Sequence, residues 1–142
     1  MDDRSREAEF GAAFSQVHAL EYADIDGDGH RDIVTGKRLW AHGPTGDEEP
    51  NAAPVVYWFQ FTRTSDGVVR FVPHLVDQRS GVGVQICTKD VNVDGRIDIL
   101  TPSKLGTFLF LNQPAGNVES LALLMREITD ESFGRLVSRF FK

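Results

Sequence analysis

Two short stretches of this chain repeat each other, and that repetition narrows the fold more than any other feature. The run Asp24-Ile25-Asp26-Gly27-Asp28-Gly29-His30-Arg31-Asp32 is followed by Ile33-Val34-Thr35. Its match, Asp90-Val91-Asn92-Val93-Asp94-Gly95-Arg96-Ile97-Asp98, is followed by Ile99-Leu100-Thr101. The offset is 66 residues, 90 minus 24. Carboxylates or amides fall at positions 1, 3, 5 and 9 of each run and glycine at position 6, ahead of an apolar strand-like exit.

The surroundings read as β-structure. Residues 17–23 and 82–88 precede the loops, and 32–35 and 98–101 leave them, rich in small and β-branched side chains. Residues 55–61 and 68–72 flank a turn with Asp66-Gly67, a good hairpin signal. A further strand falls at 107–111. Residues 41–54, with Pro44, Pro50 and the acidic run Asp47-Glu48-Glu49, predict a long surface loop between strands. The reading is therefore mainly β over 1–115. From 116 the apolar residues shift to helical spacing, as in Leu121, Leu124, Met125 and Ile128, which predicts an amphipathic helical tail over 116–142. Such a stripe fits either packing on the sheet or docking to a partner.

Charge sharpens the picture. The seven loop aspartates carry seven negative charges, one more than the chain's net of −6. The acidity thus belongs to two loops and is not a solvated face. No basic stripe suits nucleic acid, and no apolar run is long enough to span a membrane. Cys87 is the only cysteine, which excludes an internal disulfide and a thiolate cluster; its apolar neighbours predict a buried thiol.

Crowded carboxylates call for a cation. Calcium takes six to eight oxygen ligands from carboxylates, amides and backbone carbonyls. Asp24, Asp26, Asp28, the His30 carbonyl and Asp32 offer one such set. Asp90, Asn92, Asp94, the Arg96 carbonyl and Asp98 offer the other, so two calcium ions are expected. Magnesium keeps more of its water, and zinc prefers His and Cys, which neither loop converges. The EF-hand shares the opening Asp-x-Asp-x-Asp-Gly, but it needs a glutamate at position 12 and flanking helices. Position 12 here is Thr35 and Thr101, and the flanks are β-like.

These loops and their exit strands resemble the FG-GAP or VCBS repeat family, from about residue 14 to 112. Val93 departs from the glycine usual in that motif. The resemblance implies two β-propeller blades with calcium loops at 24–32 and 90–98. Closed propellers take about four to eight blades, so three situations stay open: part of a longer propeller, self-association that completes one, or a helical tail over the open face.

For function, a binding or scaffold module toward a protein or carbohydrate leads. Trp40, Tyr57 and Trp58 are candidates for an aromatic platform, unless Tyr57 and Trp58 merely alternate across a strand. A purely structural fragment of a larger secreted propeller is the alternative, and a metal-dependent hydrolase a weaker one. His18, His30, His42 and His74 are scattered, and no catalytic constellation accompanies them. The charged N-terminus shows no signal peptide, which leaves a cytoplasmic chain or a precursor without its start. Weak calcium loops suit millimolar calcium, hence an extracellular or periplasmic expectation.

Overall fold

The computed structural model describes residues 3–114; the predicted helical tail at 116–142 lies outside them. The order is α1 (Asp3–Phe10), β1 (Val17–Ala23), β2 (Asp32–Lys37), β3 (Val56–Arg63), β4 (Val69–Asp77), β5 (Cys87–Lys89), β6 (Asp98–Ser103) and β7 (Gly106–Phe110). The fold is mainly β. Strands β1-β2-β3-β4 form one antiparallel sheet and β5-β6-β7 a second.

The repeat seen in sequence recurs in backbone pairing. Tyr22 pairs with Ile33 and Ala23 with Asp32 in the first sheet; Thr88 pairs with Ile99 and Lys89 with Asp98 in the second. Each partner is shifted by 66, so the register is the same in both copies. The third strands align as well, Ile33 with Phe59 and Ile99 with Phe110. That second shift is 51 (110 minus 59), because residues 38–55 form a long connection where the second copy turns through Lys104 and Leu105 alone. The β3–β4 hairpin turns through Gly67, whose φ of 86° is one that glycine adopts without steric cost. The Gly67 N–H donates to the Thr64 carbonyl at 2.9 Å.

The two sheets pack face against face. Val34, Val56 and Ala19 of the first sheet share one core cluster with Ile99 and Phe110 of the second and with Val82 and Ile86 of the chain leading into it. Asn112 ties the layers, its amide donating to the Ile25 carbonyl at 2.7 Å. The Val82 N–H donates to the Lys37 carbonyl at 3.1 Å. Lys37 is wholly buried, and its ammonium donates to Ser15 Oγ at 2.7 Å and to the Glu48 carbonyl at 3.4 Å.

Several expectations need correction. Cys87 is exposed, not buried: it opens β5 with its side chain on the face turned away from the first sheet. Of residues 82–88, only 87 and 88 join a strand; Val82 and Ile86 are buried as irregular chain instead. β4 runs five residues beyond 72, through Pro73, which an edge strand accommodates. The charged N-terminus forms α1, closed by Gly11 with φ of 77° and an N–H bond to the Glu7 carbonyl at 2.8 Å. The connection at 41–54 is surface chain with an internal anchor. The Asp47 carboxylate is shielded from solvent and accepts from the Ala41 and His42 N–H groups at 2.7 Å each.

Candidate metal centre

Each loop is wound around its first aspartate. Asp24 accepts from the Gly27 N–H at 2.8 Å and the Gly29 N–H at 2.9 Å. Asp90 accepts from the Asp94 N–H at 3.1 Å and the Gly95 N–H at 2.8 Å. Asp28 and Asp94 each accept from the N–H two residues on, His30 at 2.8 Å and Arg96 at 3.0 Å. In loop 24–32 these turns accompany side chains at positions 1, 3 and 5 that converge on one centre. Gly29 and Gly95 both sit at φ of 88°, which explains glycine at position 6 in both copies.

Position 9 is built differently from the rest. Asp32 and Asp98 are each 1% exposed. Asp32 accepts from the Ile25 N–H at 2.9 Å and the Phe61 N–H at 2.8 Å. Asp98 accepts from the Val91 N–H at 2.9 Å and the Asn112 N–H at 2.8 Å. Each carboxylate therefore pins the loop's second residue to the chain two residues past the partner of the exit strand. Burial pushes the Asp32 carboxyl above the ordinary carboxylate range. The two N–H bonds oppose that rise, and the charges of Asp26 and Asp28 add to it.

The loops differ in what surrounds the carboxylates. In loop 24–32, ligand atoms of Asp24, Asp26 and Asp28 lie within 4.8 Å of one another. Inside this loop the His30 ring lies 3.3 Å from Asp28, and that ring stacks on Phe61. Asp26 also accepts from the Gln60 amide. Loop 90–98 holds its own cation: Arg96 Nη2 lies 2.7 Å from Asp94, and Arg96 Nε donates to the Asn112 carbonyl at 2.9 Å. Desolvation works to raise the Asp94 carboxyl. The Arg96 N–H, the Asn92 amide and the Arg96 guanidinium outweigh it and hold the group below its usual range. A cleft of about 310 Å³ separates the loops, lined by Asp24, Asp26, Gly27, Gly95 and Arg96 among others.

An oxygen-seeking cation fits the donor set of loop 24–32, where three carboxylates converge and two are exposed. Loop 90–98 presents the same backbone cradle with one carboxylate replaced by Asn92 and another paired to Arg96. The carbonyls of His30 and Arg96 stand at position 7 in each.

The three candidate aromatics are not brought together. Trp58 turns toward the core and stacks on His74 at 4.2 Å. Tyr57, its strand neighbour, lies on the opposite face against Phe14 at 5.6 Å. Trp40 stands apart in the long connection at φ of 45° and 40% exposure. Sequence reasoning missed Asn112 and Gln60, which touch the loops from the third strand or just past it. Only the strand register reveals them. Among the described residues no helix is long and apolar enough to cross a membrane. No family model, curated protein or solved structure matches this chain.

Proposed function

We propose that this chain is a calcium-binding repeat module of the β-propeller type. Its two sheets act as FG-GAP-like blades, and the loops at 24–32 and 90–98 each hold one ion. The carrying observation is the doubled geometry: two loops with the same Asx turns, the same glycine conformation and the same buried position 9 enter strands of identical register. Asp24, Asp26, Asp28 and the His30 carbonyl would form one shell; Asp90, Asn92, Asp94 and the Arg96 carbonyl the other. Asp32 and Asp98 would close each shell by sharing an oxygen that already holds a backbone N–H. The ion would relieve the repulsion among neighbouring carboxylates and lock the entry to the exit strand.

The role that follows is scaffolding and binding toward a protein or carbohydrate partner, in an extracellular or periplasmic setting where calcium is millimolar. Because Tyr57 and Trp58 point to opposite faces, partner contacts would come from loops and sheet faces and not from one aromatic platform. That separation also favours the second reading, a purely structural part of a larger secreted propeller. The test is equilibrium dialysis with radioactive calcium against excess magnesium. Two calcium ions per chain retained over magnesium is the expected result; magnesium displacing them, or no saturable uptake, overturns the proposal.

A further inference from the structure

The two sheets bury opposite faces against each other. The first sheet turns Val34 and Trp58 inward; the second turns Ile99, Phe108 and Phe110 inward. By the repeat register, Ile99 corresponds to Ile33 (99 minus 66), and Phe108 and Phe110 correspond to Tyr57 and Phe59 (shift 51). Yet Ile33, Tyr57 and Phe59 lie on the outer face of the first sheet. The contact between the sheets is therefore head-to-tail, and a head-to-tail contact leaves one unused copy of each half at the two ends.

Both ends are visible. On the first sheet, Tyr22, Ile33, Phe59 and Pro73 make one cross-strand row, with Leu75 and Phe71 in the rows beside it. Tyr22 is 55% exposed, Leu75 47% and Phe71 45%, a large apolar area for a free surface. Phe14 stacks on Tyr57 and the flank of Phe59 and Gly11 packs against Pro73, so the middle of this face is half-buried while Tyr22, Phe71 and Leu75 stay exposed. On the second sheet, Cys87, Leu100 and Leu109 form the outward row, the counterpart of Glu21, Val34 and Trp58, which face the core side of the first.

We propose that the outer face of the four-stranded sheet binds a second copy of this chain through that copy's three-stranded sheet, continuing the head-to-tail stack seen within one chain. The occupant follows from continuity: the half-buried Ile33, Tyr57 and Phe59, with Tyr22, Phe71 and Leu75 exposed around them, have the make-up of the surface that the first sheet already covers in the second. Closed propellers take about four to eight sheets, so two to four copies close a ring. This rests on the repeat-stacking part of the proposed function and not on calcium itself.

The test is the solution mass of the full chain by size exclusion with light scattering, in calcium and in EDTA. An assembly of two to four times the 15.8 kDa chain mass is expected. Phe71→Lys blocks one face and Cys87→Arg the other; both positions are exposed, and circular dichroism verifies the fold. Each variant alone should run as a monomer, and their equimolar mixture should form a dimer and nothing larger. Leu75→Lys with Thr107→Arg repeats the experiment at second positions. A monomeric full chain, or a single-face variant that still assembles, overturns the proposal. Two-site calcium uptake by a chain that never assembles would sink the stacking and leave the calcium reading standing.

Discussion

Loop 24–32 sets three carboxylates within 4.8 Å and leaves two of them exposed, whereas loop 90–98 spends Asp94 on Arg96 and replaces one carboxylate with Asn92. The backbones of the two loops are close copies; the charge balance is not. Strain differs as well. At position 4, loop 24–32 places Gly27 at φ of 78°, while loop 90–98 forces Val93 to φ of 63° with its side chain 83% exposed. A β-branched residue in that region is strained and gains no packing in return. If both loops take calcium as proposed, one backbone design would support two sites of unequal strength, with loop 24–32 the stronger.

The parts the loops share should respond alike and most strongly. Asp32→Ala and Asp98→Ala each strip two buried or part-buried N–H groups of their acceptor, at about 1–2 kcal/mol per orphaned group, the lower part of the range for wholly buried ones. Urea denaturation in EDTA should show each variant destabilised by about 2–4 kcal/mol, with neither sheet spared. A loss at one position alone would break the equivalence of the two copies.

The parts that differ should separate the loops. Arg96→Ala releases Asp94 from its guanidinium and removes a positive charge from the second centre. Calcium affinity at that loop should rise roughly fivefold, about 1 kcal/mol for one nearby charge in a mostly solvated site. His30→Ala should change the first loop much less. Isothermal titration of the two variants compares them directly.

Strain gives a smaller effect of opposite sign in the two copies. Val93→Gly should stabilise the chain by about 1 kcal/mol, and Gly27→Val should destabilise it by a similar amount, both read from thermal melts. Equal and negligible shifts would mean that the left-handed position tolerates valine.

The smallest expected effect lies where the copies diverge in length. Asp47 anchors the long β2–β3 connection, for which the second copy has only a two-residue turn. Burial works to raise its carboxyl, but the His42 and Ala41 N–H groups and the His42 ring outweigh it and lower it. With a depressed folded-state pKa, its contribution is present above the ordinary carboxylate pKa of about 4 and is lost as the pH falls through the lower folded value. Asp47→Asn should lower the neutral plateau slightly and flatten that acid limb of the stability profile, as read from urea midpoints across pH.

Much of this was legible before the structure. The offset of 66 between the loops reappears as strand register, because a motif that fixes φ at Gly29 and Gly95 also fixes how the exit strand leaves. The hairpin through Gly67 was readable for the same local reason. What sequence missed was non-local. Cys87 sits in an apolar run, yet pairing with Leu100 turns it outward. The parting of Tyr57 and Trp58 to opposite faces, by contrast, follows from strand alternation that the sequence already offered. The bonds from Phe61 and Asn112 to position 9 span the fold, 29 and 14 residues away, and carry no motif of their own. Helix α1 escaped because its charged sequence offers no apolar stripe.

The most direct test of the paired-loop account is calorimetric calcium titration of the EDTA-stripped chain beside Asp28→Ala and Asp94→Ala. The account predicts two saturable sites, the stronger lost in Asp28→Ala and the weaker in Asp94→Ala, with the other site kept each time. Absence of saturable binding up to millimolar calcium, or loss of both sites with either substitution, would contradict it.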